Sequence, residues 1–181
     1  YKNKENIQSK IIKSQKSILE LLSNKNIQLS ILSAGIGYTT MSVLMTATPI
    51  SMNMMHGFSL FSTGIVLQMH VMGMFLPSLI TGDLIKIFGH KKMIYSGIIV
   101  LLITIIIHFN FETYYGYMIG LILLGIGWNF LFVSGTSLLV VSYNKEDKFL
   151  AQGVNDFVVF SSQALGSLSA GIILFSTSWQ T

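Results

Sequence analysis

Five runs of apolar residues, at about 27–50, 60–85, 93–109, 114–143 and 149–178, take up most of this chain. Each reaches or nearly reaches the ~20 residues that a helix needs to cross a bilayer core, and the longest must tilt or extend beyond it. The runs are rich in Ile, Leu and Val, which also favour strands. They are too long for single strands, however, and a barrel strand alternates over only about ten residues. In lipid the backbone must satisfy its own polar groups, so helices follow. Charge agrees with this. Charged residues make up 10% of the chain, against roughly 25% in a soluble domain, too few to coat a water-soluble globule. The expected fold class is an all-α integral membrane protein with five transmembrane helices.

The basic residues set the orientation. All eleven are Lys. Lys2, Lys4, Lys10, Lys13, Lys16 and Lys25 precede the first run, Lys86, Lys91 and Lys92 follow the second, and Lys145 and Lys148 precede the last. With five crossings every Lys falls on one side, which the positive-inside rule makes cytoplasmic. The N-terminal end is then cytoplasmic and the C-terminal end external. A net charge of +4 raises nucleic acid as a partner, but a charge spread this way reads as membrane topology, and no nucleic acid is expected. The chain has no Cys, so disulfides and thiolate metal sites are excluded, and neither a metal nor a cofactor is expected. Residues 1–26 form a basic connecting segment in which Ile7, Ile11, Ile18 and Leu22 share one helical face, as in a helix lying on the cytoplasmic leaflet or a solvated linker. Trp179 reads as an interfacial anchor. The chain begins at Tyr1 and ends at STSWQT, just past a run, so a fragment of a longer protein is expected.

Polar residues inside the runs are the candidates for function, because an acid near the bilayer centre costs around 2.5–3.5 kcal/mol. Asp156 lies eight residues into the last run, or ~12 Å at 1.5 Å per residue. Gln152, Asp156 and Gln163 share one helical face with Asn155 near its edge. That face suits a substrate or proton pathway, or a salt bridge pinning helices together. Gln68 and His70 are two residues apart, about 200° around a helix. One therefore faces a pathway and the other a neighbour, and the spacing leaves open which. Trp128 and Asn129 sit in the middle of the fourth run. Trp there fits an aromatic wall for an organic substrate or bundle packing, and Asn needs a partner on another helix or a ligand. Pro77 should kink the second run. Ser162, Gly166 and Ala170, at helical spacing, form a seam for close packing.

Between the second and third runs stands GDLIKIFGHKK, residues 82–92. Gly82 and Gly89 suit a tight turn, and Lys86, Lys91 and Lys92 suit anchoring at anionic head groups, with Asp83 able to pair with one of them. Gly82, Leu84, Gly89 and Lys91 match a loop motif, G-x-L-a-D-r-x-G-r-K, and the stretch resembles the weaker copy of that motif in the major facilitator superfamily. Lys86 stands where the motif has Asp, and His90 where Arg or Lys is common. The basic leader resembles the family's central loop. YNKEDKFLAQG resembles its turn between helices ten and eleven, and LLGIGWNFLF and QGVNDFVVF are similar to stretches of bacterial members. The resemblance implies helices seven to eleven of a twelve-helix bundle, completed by an N-terminal six-helix half and a last helix. It also implies transport of a small-molecule substrate across the bacterial inner membrane by alternating access, with protons as a further partner. Gly82, Asp83, Leu84, Lys86, Gly89, Lys91 and Lys92 would form a cytoplasmic latch partnered by Glu146 and Asp147. The alternative is an accessory membrane subunit without catalytic activity. An enzyme is not expected, since the sequence shows no HExxH, no paired carboxylates within a run and no phosphate-binding Gly loop.

Overall fold

The computed structural model describes residues 17–176. In chain order the helices are α1 (Ile18–Leu22), α2 (Lys25–Ile50), α3 (Leu60–Phe75), α4 (Ser78–Phe88), α5 (His90–Asn110), α6 (Tyr114–Ser142) and α7 (Lys148–Ser176). A π-helical turn, Ser51–Met55, extends α2, and a 3-10 turn, Lys145–Asp147, precedes α7. Side chains cap three of the starts. The Asn24 carboxamide accepts from the Asn26 N–H at 2.9 Å, the Ser59 hydroxyl from the Ser62 N–H at 3.1 Å, and the Thr113 hydroxyl from the Gly116 N–H at 3.2 Å. Each satisfies an N–H that the helix leaves without a partner.

Four stretches among the described residues are long and apolar enough to cross a membrane: Lys25–Met55, Leu60–Phe88, His90–Asn110 and Tyr114–Ser142. The second is α3 and α4 together, interrupted at Leu76 and Pro77 because proline lacks the N–H the ladder needs there. α7 is as long as α6, at 29 residues each.

The packing fixes the helix directions. α2 and α6 are antiparallel, with Asn24 bonded to the Ser142 carbonyl at one end and Ser51 to Tyr117 at the other. α5 and α6 are antiparallel too, since His90 meets Ser137 while His108 lies against Gly120. α7 runs parallel to α2. Gly35 faces Val158 and Ser162, Gly166 presses on Thr39, and Thr46 bonds Ser167. The seam expected at Ser162, Gly166 and Ala170 is this contact, with Ala170 buried. Lys25, Lys86, Lys91, Lys92, Lys145 and Lys148 consequently share one end of the bundle.

The core lies around α6, where Leu121, Leu124 and Leu131 pack with Val66, Ile94 and Leu101. The backbones of α3 and α6 approach each other closely. A Cβ on Gly73 would stand 2.6 Å from the Ile122 carbonyl, and one on Gly125 would stand 2.6 Å from the His70 carbonyl. At the Lys-bearing end, α1 buries Leu21 against Ile27, Ile31, Leu139 and Ala151. Leu21 is buried there, while Ile18 of the expected apolar face is half exposed. The rest of the expected amphipathic helix, with Ile7 and Ile11, and the anchor Trp179 lie outside the described residues.

Candidate functional site

A cavity of about 390 Å³ opens between α2, α3 and α7, lined by Met41, Ser42, Met45 and Thr46, by His70, Val71 and Met74, and by Gln163 and Ser167. This volume is within the roughly 300–1,000 Å³ of small-molecule sites. His70 is the most buried of the nine lining residues, at 1% exposure. Its Nδ1 lies 2.9 Å from the Leu121 carbonyl oxygen of α6. A carbonyl only accepts, so Nδ1 donates and carries the proton. Nε2 is buried and has no hydrogen-bond partner among the described residues. Gln68, two residues earlier, is exposed and does not line the cavity. Packing turns His70 inward against α6 and leaves Gln68 on the surface.

α7 presents two exposed faces. One carries Phe157, Leu165, Leu168 and Ile172, all large and apolar. The other carries Gly153, Asp156, Phe160, Ala164 and Ser167, with half-buried Gln163 at its edge. Asp156 is exposed and accepts a bond from the Asn155 amide at 3.2 Å. Asn155 is buried at 5% exposure, and its Oδ1 has no partner among the described residues. Gln152 turns toward the Lys-bearing end, donating to the Tyr143 hydroxyl at 3.2 Å. Asp156, Gln163 and Ser167 therefore form one stripe, two members of which line the cavity.

Trp128 and Asn129 play separate parts. Trp128 stacks on Phe132 with centroids 4.8 Å apart, and Tyr38 meets both rings edge-on at 5.3 and 5.4 Å. The Trp128 indole N–H is buried without a partner among the described residues. Asn129 has its bonding groups engaged. Its amide donates to the Met74 carbonyl at 2.8 Å and the Ser78 hydroxyl at 2.6 Å, and its oxygen accepts from Thr81 at 2.7 Å. The partner it required is another helix, at the Pro77 break. Ser78 and Thr81, which complete this network, carried no signal of their own in the sequence.

In residues 82–92, Gly89 alone separates α4 from α5, at φ +83 and ψ 155. Gly82 differs from the expectation of a turn. It lies inside α4, and a Cβ added there meets nothing within 4 Å. Leu84 is half-buried, and Lys86, Lys91 and Lys92 are exposed. Lys86 donates to Asp83 of its own helix at 2.8 Å. Glu146 is exposed and Asp147 buried in the turn before α7, at the same end of the bundle.

A cluster that sequence reading missed ties the opposite end. The Tyr117 hydroxyl lies 2.7 Å from Ser51 Oγ and 3.1 Å from His56 Nδ1, and His56 Nε2 lies 3.3 Å from Glu112. The signal available was a His and a Glu in two otherwise uncharged turns, MMHGF and FETYYG. Among the described residues, no three of His, Cys, Asp and Glu gather as metal ligands.

Comparison with known proteins gives a family model described as Major Facilitator Superfamily, matching residues 30–181. The riboflavin transporter RfnT of Brucella anthropi is 36% identical over 165 residues, which is 90% of this chain and 40% of that protein. Two uncharacterized MFS-type transporters of Bacillus subtilis, YdeG and YddS, are 38% and 33% identical over 141 residues each, 77% of this chain and 33% and 32% of theirs. The chain thus spans at most 40% of the length of these relatives. No solved structure matches significantly.

Proposed function

The chain belongs to the major facilitator superfamily, a family of multi-pass membrane transporters, and from that premise we propose that it supplies helices seven to eleven of twelve to a secondary transporter. The cargo is a small organic solute, carried across the bacterial inner membrane by alternating access and coupled to protons. The observation that carries this reading is the polar stripe of α7. α7 packs lengthwise on α2, which is long and apolar enough to cross the membrane, so α7 is the fifth crossing. An exposed Asp156 on such a helix is too costly to place in lipid. The stripe that holds it, with Gln163 and Ser167, therefore faces a water-filled path between two halves of the carrier. Phe157, Leu165, Leu168 and Ile172 face lipid.

The cavity is this chain's share of the solute path, with Asp156 two turns from Gln163 as the proton-carrying acid. The riboflavin transporter relative favours a flat heteroaromatic cargo. The methionines Met41, Met45 and Met74 suit one, because thioethers make favourable contacts with rings. The Lys-bearing end is cytoplasmic. There Lys86, Lys91 and Lys92, with Gly82, Asp83, Leu84 and Gly89, form an inner latch that engages Glu146 and Asp147 as the carrier closes. The Lys86–Asp83 pair, exposed on both sides, contributes little and can exchange partners.

The test is flux by the full-length transporter in proteoliposomes, with riboflavin as probe. A proton gradient should drive riboflavin accumulation. Asp156→Asn should abolish accumulation while leaving solute exchange without a gradient largely intact. Flux indifferent to the proton gradient would remove the coupling assignment. Absence of riboflavin flux would remove the cargo assignment.

A further inference from the structure

We propose that Gln163 is the residue of this cavity that recognises the cargo, pairing through its carboxamide with an N–H and an adjacent carbonyl of the solute. The class of ligand is a planar imide, an N–H flanked by two carbonyls, as at one edge of a flavin ring. The inference rests on the solute-path reading of the cavity and deepens it by naming the group that is read.

Gln163 is within reach of a solute. It lines the cavity and is half-buried. Its carboxamide makes no hydrogen bond to a described residue, and neither its nitrogen nor its oxygen is a buried atom. It stands one residue past the middle of the 29-residue α7, a depth at which an amide needs a partner. The rest of the lining decides which partner fits. This chain's share of it carries no carboxylate, Lys or Arg, so the edge of the solute that meets it is uncharged. His70 gives its Nδ1 proton to Leu121 and keeps Nε2 buried, so it offers the solute no polar atom. The Thr46 and Ser167 hydroxyls lie 3.2 Å apart. That bond uses one of their two protons, and the pair keeps one O–H to donate. Ser167 is one helical turn beyond Gln163 on the same stripe. A hydroxyl rotates to suit either a donor or an acceptor and so reads little. A carboxamide is planar and holds its acceptor and its donor side by side, so the ligand that engages both at once has an N–H beside an acceptor. The spare O–H of the hydroxyl pair suits a second carbonyl on the far side of that N–H, which makes the group an imide. Met41, Met45 and Met74 supply the apolar contact with the ring. A site that pairs a solute N–H discriminates against an analogue without it, because the acceptor is then left unpaired.

The experiment is equilibrium binding of riboflavin and 3-methylriboflavin to the purified full-length transporter. The methyl compound keeps the ring system and both carbonyls and loses the imide N–H. The wild type should bind riboflavin about tenfold or more tighter than the methyl compound. Gln163→Met keeps the length of the side chain and removes its donor and acceptor. It should weaken riboflavin binding far more than binding of the methyl compound, and bring the two affinities to within about twofold. Gln163→Leu, of a different shape, should do the same. A wild type that binds both compounds alike overturns the proposal and leaves the cargo reading in place, whereas one that binds neither overturns both. Discrimination that persists in either Gln163 variant shows that bulk excludes the methyl group. Equal weakening of both compounds shows that Gln163 serves the packing of the carrier. Each of these results overturns the proposal. The broader reading fails separately: if the expected pattern of binding appears without gradient-driven flux, Gln163 stands as a recognition residue and the transport assignment falls.

Discussion

Gly89 is the residue on which the geometry of the Lys-bearing end turns. At φ +83 and ψ 155 it occupies a region open almost only to glycine. It has to, because one residue carries the chain out of α4 and into α5. Gly89→Ala is expected to lower stability by about 1–3 kcal/mol, read as a fall in the unfolding midpoint of the purified full-length protein. Gly82→Ala should behave in the opposite way. Gly82 is helical with open space beside it, so Ala is expected to be neutral or to stabilise by about 0.5–1 kcal/mol. Two glycines seven apart looked alike in the sequence, and the backbone separates them. The same limit applied to Gln68 and His70. Spacing shows that they diverge, but only the neighbour that accepts from Nδ1, Leu121, fixes which one turns inward.

At the scale of elements, helices were readable because lipid leaves the backbone no other partner, and the break at Pro77 because proline has no N–H to give. What repairs that break was not readable, since it depends on side chains some fifty positions away in sequence. Asn129 of α6 reaches the Met74 carbonyl, Ser78 and Thr81, bonding both sides of the interruption. It therefore ties α3 to α4 across the break. Asn129→Leu removes three bonds of a kind that average about 0.6 kcal/mol between helices in membranes. A loss of about 1–3 kcal/mol is expected, because the Met74 carbonyl and two hydroxyls lose a partner. Thermal unfolding of the variant beside Thr81→Val, which removes only one of the three bonds, checks this. Thr81→Val should give the smaller fall, and equal falls would show that the network does not act through Asn129.

At the scale of the molecule, the distribution of Lys and the directions of the helices are independent observations with one outcome. The sequence placed every Lys on one side by counting crossings. The packing places the described Lys residues at one end through contacts that involve none of them, Asn24 with Ser142 and His90 with Ser137. The opposite end is closed by Ser51, His56, Tyr117 and Glu112. Because this chain has no Cys, single cysteines report topology directly. In an otherwise cysteine-free full-length protein, a membrane-impermeant maleimide added to intact cells should label Met54→Cys, 74% exposed beside the His56 turn. Lys145→Cys should stay unlabelled until the membrane is permeabilised. A Cys at Asp156 should react from one side only, and solute or a shift of the carrier between its two states should change the rate, because the proposed path opens to each side in turn. Equal labelling of positions 54 and 145 in intact cells would reverse or break the order of crossings. A rate at position 156 indifferent to solute would place that stripe outside the path.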